Sequence, residues 1–537
     1  MSKRAVIIGS GLGGLECGLI LARSGYDVTV LEKHPVSIGG CLQSFCRRVA
    51  QAETADGKAE PCPQNLTFDT GFHYVGALDE GQSLHRIFAY FGLLDLPWKR
   101  MDADCVDEIV VDGHSYPLAS GYDNFVERLA EHFPKERDGL RKYVAFLKDV
   151  GDNIFRPLGP HFLEDGQLNY AEAPQGGPNP LFGRSAKAFV EETISDPTLR
   201  RVLEGAFMRC PVNEATPLYT FAQINDSFIR SAWRLEGGGQ QIAERLAEQI
   251  RSLGGKVLTG AQVSGIEQTD GAVSGVLVRH HNAVTVPFGG PLIAKTAQNA
   301  VTVPNFGTPT APATSTAPGV EFLPADIVVS DIHPAATVAL IGRDAPVRKV
   351  YRDRISALEN GRGVFTANIA LKPGTLPYLN KNIFIQHGQD RLMIHFYLPE
   401  KDIDGYATHV DLIMPVDSGP DPASPKAYAE WKYALLHQSL ELAETRVSGL
   451  RDAISAVWTS TPHSWEQFTG SPGGSAFGIQ KDWRNPIGTL LSPRTPLKGL
   501  FLTGQNLNLH GLLGVSITSF LSCREILGSA SASLGKE

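Results

Sequence analysis

The first 32 residues constrain the fold of this chain most. Ala5-Val6-Ile7-Ile8 is a short, wholly apolar run of the kind that forms a buried parallel strand. Gly9-Ser10-Gly11-Leu12-Gly13-Gly14 follows at once and satisfies G-x-G-x-x-G through Gly9, Gly11 and Gly14. A helix is predicted from there to Arg23, with Leu15, Leu19 and Ala22 on one face and Gly25 just beyond its end. Residues 27–31 supply a second strand, closed by Glu32, 18 residues after Gly14. In such a unit the first glycine makes a tight turn and the second lets backbone N–H groups approach a pyrophosphate. The third packs helix on strand, and the helix N-terminus faces the negative charge. Glu32 can accept ribose hydroxyls, and its charge disfavours a 2′-phosphate. Strand, helix, strand and acid in register predict an α/β fold with a Rossmann-like dinucleotide site.

Lys3 and Arg4 ahead of an apolar stretch imitate a signal peptide, but Glu16 and the glycines interrupt it and leave no uncharged span of membrane-crossing length. The 537 residues are 42% hydrophobic and 20% charged, which excludes wholesale disorder. A net charge of −8 leaves no basic footprint for nucleic acid and no polybasic membrane anchor. Seven cysteines, an odd number without paired spacing, predict reduced thiols, no metal site and a reducing, cytoplasmic compartment.

Two further features favour FAD over NAD. Gly39-Gly40 follows Glu32 after a short loop, as a longer cofactor needs where backbone passes close to its flavin half; the alternative is a plain turn. Near the other end, residues 500–502 read as an apolar strand ending in Thr503-Gly504-Gln505. Residues 510–516 then open a second helix. Its N-terminus would stabilise negative charge on a reduced flavin; the alternative is one more βα unit of the sheet.

The fingerprint, the string Phe68-Asp69-Thr70-Gly71-Phe72-His73-Tyr74-Val75-Gly76 and the segment from Leu500 to Phe520 together resemble the phytoene desaturase superfamily of FAD enzymes. The resemblance is nearest to the retinol saturase (all-trans-retinol 13,14-reductase) and carotenoid isomerase branch. Residues 235–259, Val263, Ile266, Gly275-Val276 and residues 325–330 complete its pattern. It implies a discontinuous Rossmann-like FAD-binding domain with a mixed α+β substrate domain. The FAD-binding segments are 1–81, 231–345 and 485–537; the substrate segments are 82–230, mainly helical, and 346–484, sheet and helices. By position, Gly9, Gly11, Leu12, Gly13 and Gly14 would hold the pyrophosphate, and Glu32 with Lys33 the ribose side. Gly40 would lie along the cofactor, and Val263 would face the adenine through its backbone. Gly504, Gln505, Leu513, Gly514, Val515 and Ser516 would reach the flavin. The desaturases commonly carry an acid where Gln505 stands; its absence leans toward reduction or isomerisation.

Residues 281–319 depart from the family, which joins the flanking strands 272–279 and 326–330 more directly. This Pro/Thr/Ala-rich insert repeats 283–289 as 300–307, two runs able to pair as an exposed ribbon. Residues 50–63 read as a polar surface loop. Residues 84–98 are rich enough in Leu, Phe and Trp to dip into a bilayer at the mouth of a substrate tunnel, or to pack as a core helix.

The resemblance implies an FAD-dependent oxidoreductase that saturates or isomerises a C=C bond of a conjugated polyene lipid of retinoid or carotenoid type. One alternative is desaturation of a carotenoid precursor. Another is a non-catalytic prenyl-lipid carrier resembling GDP-dissociation inhibitors. The flavin exchanges hydride, and a nearby proton donor completes the chemistry. His73 is the leading candidate, the alternative being a histidine satisfied by backbone. His510 and Glu236 follow, and His463 and Trp465 are placed to line the site. Tyr74 is expected on the opposite strand face from His73. No second dinucleotide motif marks an electron donor, so NAD(P)H, a redox protein and another reductant all stay open. Expected partners are a hydrophobic small molecule and, peripherally, a membrane, with no nucleic acid.

Overall fold

The computed structural model describes residues 2–49, 64–159, 162–164, 167–170, 177–280, 292–293, 319–397 and 405–534. A five-stranded parallel sheet organises it. Strand β1 (Arg4–Ile8) lies at the centre, between β2 (Asp27–Leu31) and the strand Ile327–Ser330. Lys256–Leu258 extends the sheet beyond β2, and Leu500–Leu502 extends it on the other side. Helix α1 (Leu12–Arg23), with Gln240–Ser252 and Gly511–Leu534, packs on one face, where Leu15, Leu19, Ile242, Leu246 and Phe520 join Ile7, Val28 and Val30 in a single core. The other face meets an antiparallel sheet of Ala261–Thr269, Ala272–His280 and Val320–Pro324 through Val263, Val276 and Val278. Strands covered on both sides are apolar throughout, which accounts for continuous runs in place of alternation.

At Gly14 an added Cβ would lie 2.3 Å from the carbonyl oxygen of Gly9 and 3.2 Å from the Ile7 side chain. Helix and strand therefore touch where no side chain fits. Gly14→Val is expected to cost about 3 kcal/mol and lower the melting temperature by roughly 3 °C, read by circular dichroism.

The second body is an eight-stranded sheet running Leu292–Ile293, Ile454–Ser460, Gly363–Leu371, His409–Val416, Asp390–Phe396, Asn382–His387, Asp107–Val111, His114–Leu118. Its pairs are antiparallel except that between Asn382–His387 and Asp107–Val111. Side chains alternate: Ile383, Ile385 and Leu412 pack toward helix Pro425–Glu444, while Phe384 and Ile413 join helices Tyr122–His132, Arg137–Asp152 and Leu218–Arg230.

Segment 82–230 contributes strands as well as helices, at Trp98–Arg100, Asp107–Val111 and His114–Leu118. The apolar face of residues 84–98 packs inward: Leu84, Ile87, Phe88 and Phe91 are at most 1% exposed, and Phe91 stacks on Phe520 at 5.5 Å. Those side chains are committed to the core and unavailable to a bilayer. Among the described residues no helix is long and apolar enough to cross a membrane. Of the insert 281–319, Leu292–Ile293 forms an edge strand; its two repeated runs lie outside the described residues, as does the loop 50–63.

Candidate functional site

The site forms at the carboxyl ends of the parallel strands, where open α/β sheets place ligands. Gly9 leaves β1 with φ +92°, a conformation that favours glycine, and its N–H donates to the Leu31 carbonyl (2.9 Å), tying the turn to β2. The Glu32 carboxylate accepts the Ser10 N–H (3.1 Å), the Ser10 hydroxyl (2.6 Å) and the His34 N–H (2.8 Å), so its position is set by three donors. Gly39 N–H donates to the Ser10 carbonyl (2.9 Å), which brings the Gly39-Gly40 pair against the glycine turn. From the far side of the sheet, Gly504 approaches closely enough that a Cβ on Gly13 would lie 3.0 Å from its backbone.

A cavity of about 480 Å³ runs through these turns. At one end are Glu32, Lys33 and Val263. Gly9, Gly11, Leu12, Gly13 and Gly40 follow, then Gly504, Gln505, Leu513, Gly514 and Val515. Gly14 and Ser516 stand behind it. Gly14 packs helix on strand, and the Ser516 hydroxyl donates to the buried Glu16 carboxyl (2.6 Å), joining α1 to the C-terminal helix. The elongated cradle of close backbone, with a ribose-type acid at one end and a second helix start at the other, fits FAD. Gly9, Gly11 and Gly13 would hold the pyrophosphate, Glu32 the ribose, and Gly504 with the Leu513–Val515 turn the flavin.

Beyond the flavin end the cavity is lined by Met208, Ile224, Phe228, Met393, Trp465 and Phe477, with His73, Tyr74, Arg209 and His510 among them. His73 lies in an irregular stretch between the strands Gln64–Asp69 and Val75–Gly76, which corrects its expected place in a strand. The first strand stops at Asp69, whose carboxylate accepts the Gly239 N–H (2.8 Å) and the Ser44 hydroxyl (2.7 Å). The irregular path also corrects the opposite-face expectation for Tyr74, since both side chains reach the cavity. The Tyr74 hydroxyl donates to Asp107 (3.2 Å), which pairs with Arg209 (3.3 Å) and accepts from Asn382 (2.9 Å). Burial holds the His73 imidazolium pKa down at about 4, helped by the nearby Arg234 cation, and its Nδ1 has no hydrogen-bond partner among the described residues. His510 is held at about 4 by burial too, and shares a hydrogen bond with the Arg209 carbonyl (3.0 Å), which requires its Nε2 to carry the proton. Both rings are neutral at pH 7.

Glu236 is a further correction. It is exposed and outside the cavity, because Gly237 and Gly238, both at positive φ, turn the chain away before helix Gln240–Ser252 begins. His463 also stays outside, its ring 5.7 Å from that of Tyr428, while Trp465 lines the cavity. Three groups escape the sequence reading: Ser10, Arg209 and Asp331. Asp331 alone carries a local signal, an acid directly after a buried strand.

The NAD(P)-binding Rossmann-like domain model matches residues 7–91. The all-trans-retinol 13,14-reductase of Danio rerio is 23% identical over 97% of this chain and 85% of its own length. Prolycopene isomerase 1 of an Oncidium hybrid cultivar is 25% identical over 51% of this chain and 45% of its own. Cyclohexylamine oxidase from Brevibacterium oxydans superposes over all of both chains with a TM-score of 0.55 at 15% identity, a likeness of fold. Similarity that runs nearly end to end, over a chain with a cradle shaped for FAD, leads to one assignment. The chain is phytoene desaturase-like, similar to the retinol saturase and carotenoid isomerase branch of those FAD-dependent oxidoreductases.

Proposed function

We propose that this protein reduces a C=C bond of a conjugated polyene lipid of the retinoid or carotenoid type. The observation that carries this reading is the extent of similarity: the match to a retinol reductase spans 97% of the chain, that to a carotenoid isomerase 51%. Isomerisation without net redox change is the second reading, favoured by that shorter match and by the uncharged Gln505 at the flavin end.

FAD, when bound, supplies hydride exchange. The apolar walls from Met208, Ile224, Phe228, Met393, Trp465 and Phe477 align the polyene and keep water from the reacting carbons. His73 delivers the proton for the neighbouring carbon, and its unpartnered Nδ1 leaves the ring without a competing bond there. His510, oriented by the Arg209 carbonyl, lines the same cavity. The reading further places the enzyme in a reducing cytoplasm, where it meets its lipid at a membrane surface and takes electrons from a separate donor such as NAD(P)H.

Purified protein titrated with all-trans-retinol and with β-carotene tests substrate class. A saturable perturbation of the flavin spectrum by either polyene is expected. Protein that purifies without flavin yet binds a prenylated peptide would turn the assignment toward a carrier.

A further inference from the structure

Asp331 follows the strand Ile327–Ser330, its N–H donating to the Ile8 carbonyl (2.9 Å), so it stands where the two central strands end. Its carboxylate is packed among glycines of both turns that bracket the cofactor. A Cβ on Gly11 would lie 2.3 Å from Oδ2; one on Gly13 would lie 2.7 Å, and one on Gly504 2.4 Å, from Oδ1. The Gly14 N–H donates to it. These backbone groups are those that a G-x-G-x-x-G turn offers to a pyrophosphate. The chain thus brings an anion of its own onto the ground that an anionic ligand must share.

We propose that Asp331 takes up a proton when FAD binds, so that the neutral acid is the form that coexists with the pyrophosphate. Two like charges held against the same glycine turns in a buried site cannot both stay ionised at little cost. Other groups that face the carboxyl do not relieve it. Glu32 at the end of β2 adds negative charge, Glu16 on α1 is an acid that burial raises to about 8 and so brings no cation, and Cys41 is a thiol held neutral by burial. Lys33, the cation at this end of the cavity, directs its ammonium to the Gln467 carbonyl (3.3 Å), and the His333 ring bonds the Asn360 side chain (2.9 Å). Burial and Glu32 already raise the Asp331 pKa to about 7. Pyrophosphate raises it further. Below pH 7 the acid is neutral before and after binding, and affinity is flat. Above pH 7 each binding event takes a proton from solution, and affinity falls with rising pH until the pKa of the complex is reached.

The test is FAD binding to full-length apoprotein between pH 6 and 9, followed by flavin fluorescence. Proton uptake comes from calorimetry in buffers of different ionisation enthalpy. The wild type should lose about tenfold in affinity per pH unit above 7 and take up close to one proton at pH 8.5. Asp331→Asn, neutral at all pH and of the same shape, should bind FAD with no pH dependence, and at pH 8.5 at least tenfold more tightly than the wild type. Glu16→Gln, which removes the neighbouring buried acid raised to about 8, should behave as the wild type. A flat wild-type profile would overturn the proposal. So would proton uptake that persists in Asp331→Asn, or that disappears in Glu16→Gln.

Discussion

Glu32→Ala should raise the dissociation constant for FAD by about 10²-fold while leaving the fold intact. A hydrogen bond to a charged acceptor contributes about 1.5–3 kcal/mol, roughly 10- to 150-fold in affinity. The carboxylate that would accept the ribose hydroxyls also fixes the glycine turn through Ser10 and the start of the next loop through His34. Its loss acts twice, on a direct contact and on the order of the cradle. The parallel pairing of β1 with β2 is backbone-made and survives it, so the melting temperature of apoprotein should move little. Glu32→Gln keeps an acceptor oxygen without the charge and should fall between. Flavin occupancy unchanged after gel filtration of Glu32→Ala would remove Glu32 from the cofactor site.

The second large effect concerns His73. His73→Ala should retain FAD and lower turnover by 10²-fold or more, since a positioned proton donor contributes about 10²–10⁴-fold. The pH dependence makes the assignment sharper. With its pKa held at about 4, His73 carries the donatable imidazolium proton in only about one molecule in 10³ at pH 7. If the imidazolium is the acid, the rate of the reductive half-turn on the polyene rises as pH falls from 8 toward 5, up to tenfold per unit. That slope vanishes in His73→Ala. Full turnover in the variant, or a slope unchanged by it, would take the proton step away from this residue.

The β1–α1–β2 unit and its acid were legible in the sequence because their signals are local: an apolar run, glycines at fixed offsets and a helix period that ends at Arg23, where the structure ends it. That the strand at 500–502 joins the same sheet, across Ile327–Ser330 from β1, was legible only through the resemblance, since Leu500 lies 468 positions beyond Glu32. The site beyond the flavin was less so. Nothing near His73 announces that Asp69 is held by Gly239 and Ser44, contacts that end the strand early and re-aim both His73 and Tyr74. Asp107 and Glu108 drew no reading from the sequence. They are buried in a strand because Arg209, Lys381 and Arg446 reach them from remote segments. Glu236 illustrates the converse error: an acid beside a glycine run has no fixed direction until the φ angles of that run are known. Asp331 stood in view as an acid after a strand, but its approach to Gly504 depends on the order of strands in the sheet.

Anaerobic photoreduction of the purified holoprotein, followed by addition of all-trans-retinol or a cis-carotene and mass analysis of the product, tests the central claim most directly. Reduction predicts that the flavin reoxidises in step with formation of a polyene two hydrogens heavier. A rearranged polyene of unchanged mass, with the flavin still reduced, would contradict it and make the enzyme an isomerase.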